Sequence, residues 1–187
     1  MPTVNEDFKR ELRRAFISGF EEALIASSGW DVKEKSSTQM PEHEEFFMLT
    51  ISSQLFRVVV VLHFTKNTEL EQFVVNSIKQ PNKVLEEDKF YDFVGEVGNA
   101  FCGAIKREIG RTVPTLGMST PNRLGHDCLQ YVSGQKFEFD AHAEALFQSR
   151  ALMFASVYLC ADQNLNFEVK QSSATENDVD SGELEFF

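Results

Sequence analysis

The sequence predicts an α+β fold in which helices cover one face of an antiparallel six-stranded sheet. Three observations carry this reading. Apolar residues recur at helical spacing in an N-terminal segment and again in a long central one. Each helical region is followed by β-branched or alternating segments of strand length. The two halves repeat one order, helix then three strands, which places helices and strands in separate layers.

Taken in order, Phe8, Leu12, Phe16, Phe20 and Leu24 form one apolar stripe, and Ser27-Ser28-Gly29 ends that helix. Strands follow over about 30–38, 44–54 and 56–66. The last contains Val58-Val59-Val60-Val61-Leu62, a run suited to a buried strand. Thr68-x-x-Glu71 reads as a capping box opening a helix to about Lys79, after which Pro81 and Asn82 break the chain. A long helix over about 86–110 is stopped by Gly110 and Pro114. A strand at about 115–121 and a loop lead to a strand at 135–147. There Phe137, Phe139, Ala141, Ala143, Ala145 and Phe147 alternate with Glu138, Asp140, His142 and Glu144. That alternation predicts His142 on the solvent face. The nearly all-apolar segment Ala151–Ala161 reads as a central or interface-forming strand.

The 187 residues suffice for one domain with a sizeable core, and 42% apolar residues with 18 phenylalanines supply its material. No apolar run reaches the roughly 20 residues of a membrane span, and the charged N-terminus has no signal-peptide core. Cys102, Cys128 and Cys160 are odd in number and contain no Cys-x-x-Cys pair, which fits a reducing, cytoplasmic setting. The four histidines show no metal-ligand spacing, and His126-Asp127-Cys128 lacks a second ligand pair or an oriented base.

A net charge of −11 argues against nucleic acid as a partner. Residues 168–187 carry −5 of it, leaving −6 for residues 1–167. This division predicts a single domain over 1–167 and an acidic, disordered tail over 168–187. The tail ends in Leu184, Phe186 and Phe187, which read either as a solvated tip or as a short docking motif.

The central helix carries two opposite faces. At about 100° per residue, Asp92, Glu96, Asn99, Gly103 and Lys106 fall within a stripe roughly 80° wide. Phe90, Val94, Val97, Phe101 and Ile105 occupy the far side. Gly95, Gly98 and Gly103 lie inside the helix, where each costs up to about 1 kcal/mol relative to alanine. Gly95 and Gly103 fall near the polar stripe and Gly98 on its flank. Such glycines point either to a partner approaching this face or to close helix packing.

Asp92-xxx-Glu96-xx-Asn99, followed by Pro121 after 21 intervening residues, resembles the signature of the CheC/CheX/FliY phosphatases. Gly95, Gly103, Lys106 and the run Met118-Ser119-Thr120-Pro121 are similar to the CheX branch. The resemblance extends over about residues 5–165. It implies a duplicated α-β-β-β unit and a homodimer joined through sheet edges. It also implies hydrolysis of the aspartyl phosphate of a CheY-like response regulator, in chemotaxis or related two-component signalling. The first helix holds a partial copy, Ser18-xxx-Glu22-xx-Ile25, whose isoleucine replaces the amide and predicts an inert site.

Under this resemblance the receiver supplies the phosphorylated Asp, a Mg²⁺ and a Lys, and this chain binds no cofactor. Asn99 then positions the attacking water, because a carboxamide both accepts and donates. Glu96 pairs with the receiver's Lys. Asp92 and Pro121 support the site, and Gly95, Gly103 and Lys106 are the partner-contact positions. Two other readings stay open: a non-catalytic module that docks a receiver or signalling partner, and an unrelated oligomerising domain.

Overall fold

Two helices and a sheet divide the chain's apolar side chains between them. The structure, a computed structural model, describes residues 4–24, 29–36, 45–78, 85–113, 115–161 and 164–166. The sequence features at Ile25, Ser27-Ser28, Pro81-Asn82 and Pro114, and the tail 168–187, lie outside the described residues. In chain order the elements are α1 (Glu6–Leu24), β1 (Trp30–Lys35), β2 (Glu45–Ser52), β3 (Phe56–Phe64), α2 (Thr68–Ser77) and α3 (Glu87–Gly110). The second half continues with β4 (Gly117–Met118), β5 (Asn122–Gly125), a 3₁₀ turn at His126–Cys128, α4 (Leu129–Ser133), β6 (Phe139–Phe147) and β7 (Arg150–Ala161).

All strands belong to one antiparallel sheet of order β1-β6-β7-β3-β2-β4, with β5 also paired to β2. Exchanging the halves maps β1 onto β4/β5, β2 onto β6 and β3 onto β7, and the order then reads the same from the opposite edge. The sheet is thus built from a duplicated α-β-β-β unit. The apolar β7 is central, between β3 and β6. Helices α1 and α3 pack antiparallel over the sheet: Gly19 faces Ala104, while Arg14, a turn and a half earlier on α1, pairs with Glu108, further along α3. Between them and the sheet lie Phe8, Phe16, Phe20, Phe64, Phe90 and Phe101, all fully buried. Burial of each aromatic is worth roughly 1.5–3 kcal/mol, so this layer dominates the stability of the fold.

Three details differ from the sequence reading. The strand expected at 115–121 is reduced to Gly117–Met118, and a further short strand, Asn122–Gly125, stands in the expected loop, which makes seven strands. Ser119 still hydrogen-bonds Thr50 across the gap at 2.9 Å, whereas Pro121 has no N–H to continue a ladder. The N-cap of α2 is Asn67, whose side chain accepts from Leu70 N at 2.9 Å, one residue before the expected Thr68.

The third difference concerns His142. Ala141, Ala143 and Ala145 are buried as predicted, but His142 is only 5% exposed. Its ring is hydrogen-bonded to Ser156 Oγ at 2.9 Å and to Asp140 at 2.8 Å, and His63 reaches the same hydroxyl at 3.2 Å. The sheet face opposite the helices is therefore largely closed. A second apolar cluster of Phe46, Val59 and Val61 sits there, with Leu124, Cys128 and Leu129 packed onto it.

Candidate functional site

Helix α3 spans 24 residues, about 36 Å at 1.5 Å per residue, and lies across the sheet with one face outward. Its inward face is fixed by Phe90, Val94, Phe101 and Ile105, all fully buried. The outward stripe follows from helical geometry alone. Asp92 and Glu96 are exposed, while Asn99, Gly103 and Lys106 are half-buried. Asn99 Nδ2 donates to Glu96 Oε1 at 3.4 Å, a long contact that is easily exchanged for another partner. Among the described residues Glu96 has no ion pair. The structure therefore brings Asp92, Glu96 and Asn99 onto one solvent-facing surface.

The three glycines serve different ends. Gly95 is buried, and a Cβ there would lie 3.7 Å from the Phe47 ring. A Cβ at Gly98 would lie 3.4 Å from Leu49. Both glycines bring α3 down onto β2, so Gly95 is a packing position and not the outward contact expected of it. At Gly103 a Cβ would meet nothing within 4 Å. That gap lies on the stripe between Asn99 and Lys106. Where α1 meets α3, a Cβ at Gly19 would lie 3.2 Å from Ala104 Cβ, so that glycine permits the close packing of the helix pair. Pro121 lies between β4 and β5, on the sheet edge that borders β2 beneath α3.

The flank toward that edge is also closed. Tyr91 donates to Glu45 at 2.7 Å, Arg123 donates to the same carboxylate at 2.9 Å, and the Arg123 guanidinium stacks 3.4 Å above the Tyr91 ring. Burial, followed by the bond to Glu45, pushes the Tyr91 hydroxyl up to about 12, so it stays protonated and donating. Burial likewise pushes the Cys102 thiol up to about 12 despite Lys106, which removes it as a nucleophile. The Tyr91–Glu45–Arg123 group was not read from the sequence, because its members are 46 and 78 residues apart.

On the other flank, the end of α1, α2 and α3 enclose a cleft of about 300 Å³. Ala23, Phe73, Phe93, Val97 and Ala100 line it, and Glu96 stands at its lip. Asp140, His142 and Ser156 align as a Ser-His-Asp set, which the sequence did not reveal, but Ser156 is 0% exposed and closed to a substrate. Among the described residues no group of three or more His, Cys, Asp or Glu side chains could hold a metal ion. No helix among them is long and apolar enough to cross a membrane.

No protein-family profile matches the sequence, and no curated protein does. The fold, by contrast, is clearly matched among solved structures. The chemotaxis protein CheX from Vibrio vulnificus superposes with a TM-score of 0.59 at 16% identity, covering 80% of this chain and 99% of that one. A CheX–CheY–BeF3–Mg²⁺ complex from Borrelia burgdorferi gives 0.60 at 8% identity, with 80% and 96% covered. A CheC-like protein from Shewanella sp. PV-4 gives 0.53 at 12%, with 84% and 99% covered. The chain has the CheX/CheC-like fold.

Proposed function

We propose that this protein is a phosphatase that hydrolyses the aspartyl phosphate of a CheY-like response regulator. One observation carries the reading: a CheX-like fold presents Glu96 and Asn99 together on the exposed face of its central helix. That one similar structure is a CheX–CheY complex supports a receiver domain as the partner. That the described residues place no metal cluster at the stripe, and that burial raises the Cys102 thiol, matters less here than it would elsewhere. Hydrolysis of an acyl phosphate needs mainly a positioned water.

In this mechanism the stripe of α3 enters the receiver's phosphoacceptor site. Nδ2 of Asn99 donates to Glu96, which leaves Oδ1 to accept a hydrogen bond from a water. The water oxygen attacks phosphorus in line, and the bond from phosphorus to the aspartyl oxygen breaks. Aspartate leaves as its carboxylate, and the water's proton passes to the departing inorganic phosphate. Glu96, which has no ion pair among the described residues, pairs with the receiver's Lys and fixes the register. Asp92 and Lys106 flank this contact, and the open surface at Gly103 lets the partner backbone come close. The Mg²⁺ of the reaction belongs to the receiver.

The test is the decay of a phosphorylated receiver with and without this protein. Asn99→Ala is expected to slow the accelerated decay by about 100-fold while receiver binding persists. Full activity in that variant rules out water positioning by Asn99. A wild-type protein that binds the phosphorylated receiver without hastening its decay is a docking module instead.

A further inference from the structure

We propose that the cleft beside Glu96 is a docking socket for one apolar side chain at the rim of the receiver's phosphoacceptor site, and that it selects among receivers. The inference rests on the function proposed above and adds a specificity determinant to it. Three observations lead there.

The two flanks of the α3 stripe are unequal. Toward the sheet, Phe47 and Leu49 lie against Gly95 and Gly98, and the stacked Tyr91–Arg123 pair closes the surface further. Toward α1 and α2 the helix borders an open cleft of about 300 Å³, enough for a leucine- or phenylalanine-sized side chain. Among the described residues, a partner reaching across the stripe finds an apolar cleft on this side.

The cleft and the stripe also share a residue. Glu96 lines the cleft and has no ion pair among the described residues, so a cation that reaches it from a partner brings that partner over the cleft mouth. Finally, the stripe is too polar to hold a partner by itself. A specific interface buries about 800 Å² per side, with an apolar centre and a polar rim. Asp92, Glu96, Asn99 and Lys106 supply the rim, whereas Phe93, Val97 and Ala100 supply an adjoining apolar surface.

Ala100 is exposed on α3, so a larger residue there obstructs the cleft without entering the core. The experiment compares wild type, Ala100→Leu and Ala100→Trp, using the receiver that wild type dephosphorylates fastest. Affinity is measured for that receiver loaded with BeF3 and Mg²⁺, and KM and kcat for its phosphorylated form. Ala100→Trp is expected to weaken binding and raise KM by about tenfold, with Ala100→Leu intermediate and kcat unchanged in both. Unchanged affinity and KM in both variants overturns the socket while leaving the phosphatase reading standing. A fall in kcat at wild-type affinity overturns it equally. If wild type binds loaded receivers without hastening their decay, the phosphatase reading fails alone, and weaker binding by Ala100→Trp still supports the socket. Failure of wild type to bind any loaded receiver overturns both.

Discussion

Helices α1 and α3 hold equivalent places in the two halves of the sheet, but their outward faces are committed differently. On α1, Glu22 is ion-paired to Arg107 of α3 at 2.5 Å, and the Ser18 hydroxyl donates to the carbonyl of Arg14 at 2.9 Å. Both groups are answered within the molecule. On α3, Glu96 has among the described residues only a long contact to Asn99, and Asp92 is exposed. One helix spends its polar face on holding the pair together, and the other leaves it available. Duplicating a unit therefore did not duplicate its surroundings: the spacing was copied, whereas the setting that leaves Glu96 without an ion pair among the described residues was not.

Glu96 is where the two helices should differ most in their response to substitution. If its carboxylate waits for a partner's cation, Glu96→Ala removes a charge-assisted contact worth about 1.5–3 kcal/mol. Titration of a phosphorylated receiver should then show affinity lower by about 10- to 150-fold, with the maximal decay rate much less affected. Wild-type affinity in this variant shows that Glu96 is no more engaged than Glu22, and the contrast between the helices loses its meaning.

Most of the fold and the stripe were legible because both rest on local periodicity. Asp92, Glu96 and Asn99 share a face through the geometry of one helix, and no long-range knowledge is needed to place them. What local pattern does not contain is the identity of the covering layer. His142 stands at a polar position of an alternating strand, but its ring is bonded to Ser156 on β7, 14 residues away, and the same hydroxyl is bonded to His63 on β3, 93 residues from Ser156. Gly95 was misplaced for a related reason. On a helical wheel it borders the polar stripe, and only the position of Phe47 on β2 shows that this border is already filled. The cleft at Phe93 and Ala100 likewise needs α1 and α2 in place before it exists.

Gly103 gives a smaller but sharper test, because its two consequences run in opposite directions. A Cβ there meets nothing within 4 Å, so Gly103→Ala should follow helix propensity and stabilise the protein by up to about 1 kcal/mol. The same methyl would stand on the face that meets the receiver. A higher melting temperature together with weaker receiver binding is the expected pair of results. Higher stability with unchanged binding would assign the glycine no part in docking.

The smallest effects are expected on α1, and they bear on the comparison from its other side. Glu22→Ala removes an ion pair whose two side chains are 56% and 54% exposed, so water already screens most of its attraction. Exposed pairs of this kind contribute about 0.2–1 kcal/mol, and the melting temperature should fall only slightly. Ser18→Ala loses a hydroxyl bonded back to its own helix, a contact that contributes little there, and alanine is the better helix former. Neither side chain is arranged to meet a partner, so both variants should dephosphorylate the receiver at the wild-type rate. Loss of activity in either one, with its melting temperature preserved, would show that the face of α1 takes part in the reaction. The single-site reading of the α1 and α3 pair would then have to be abandoned.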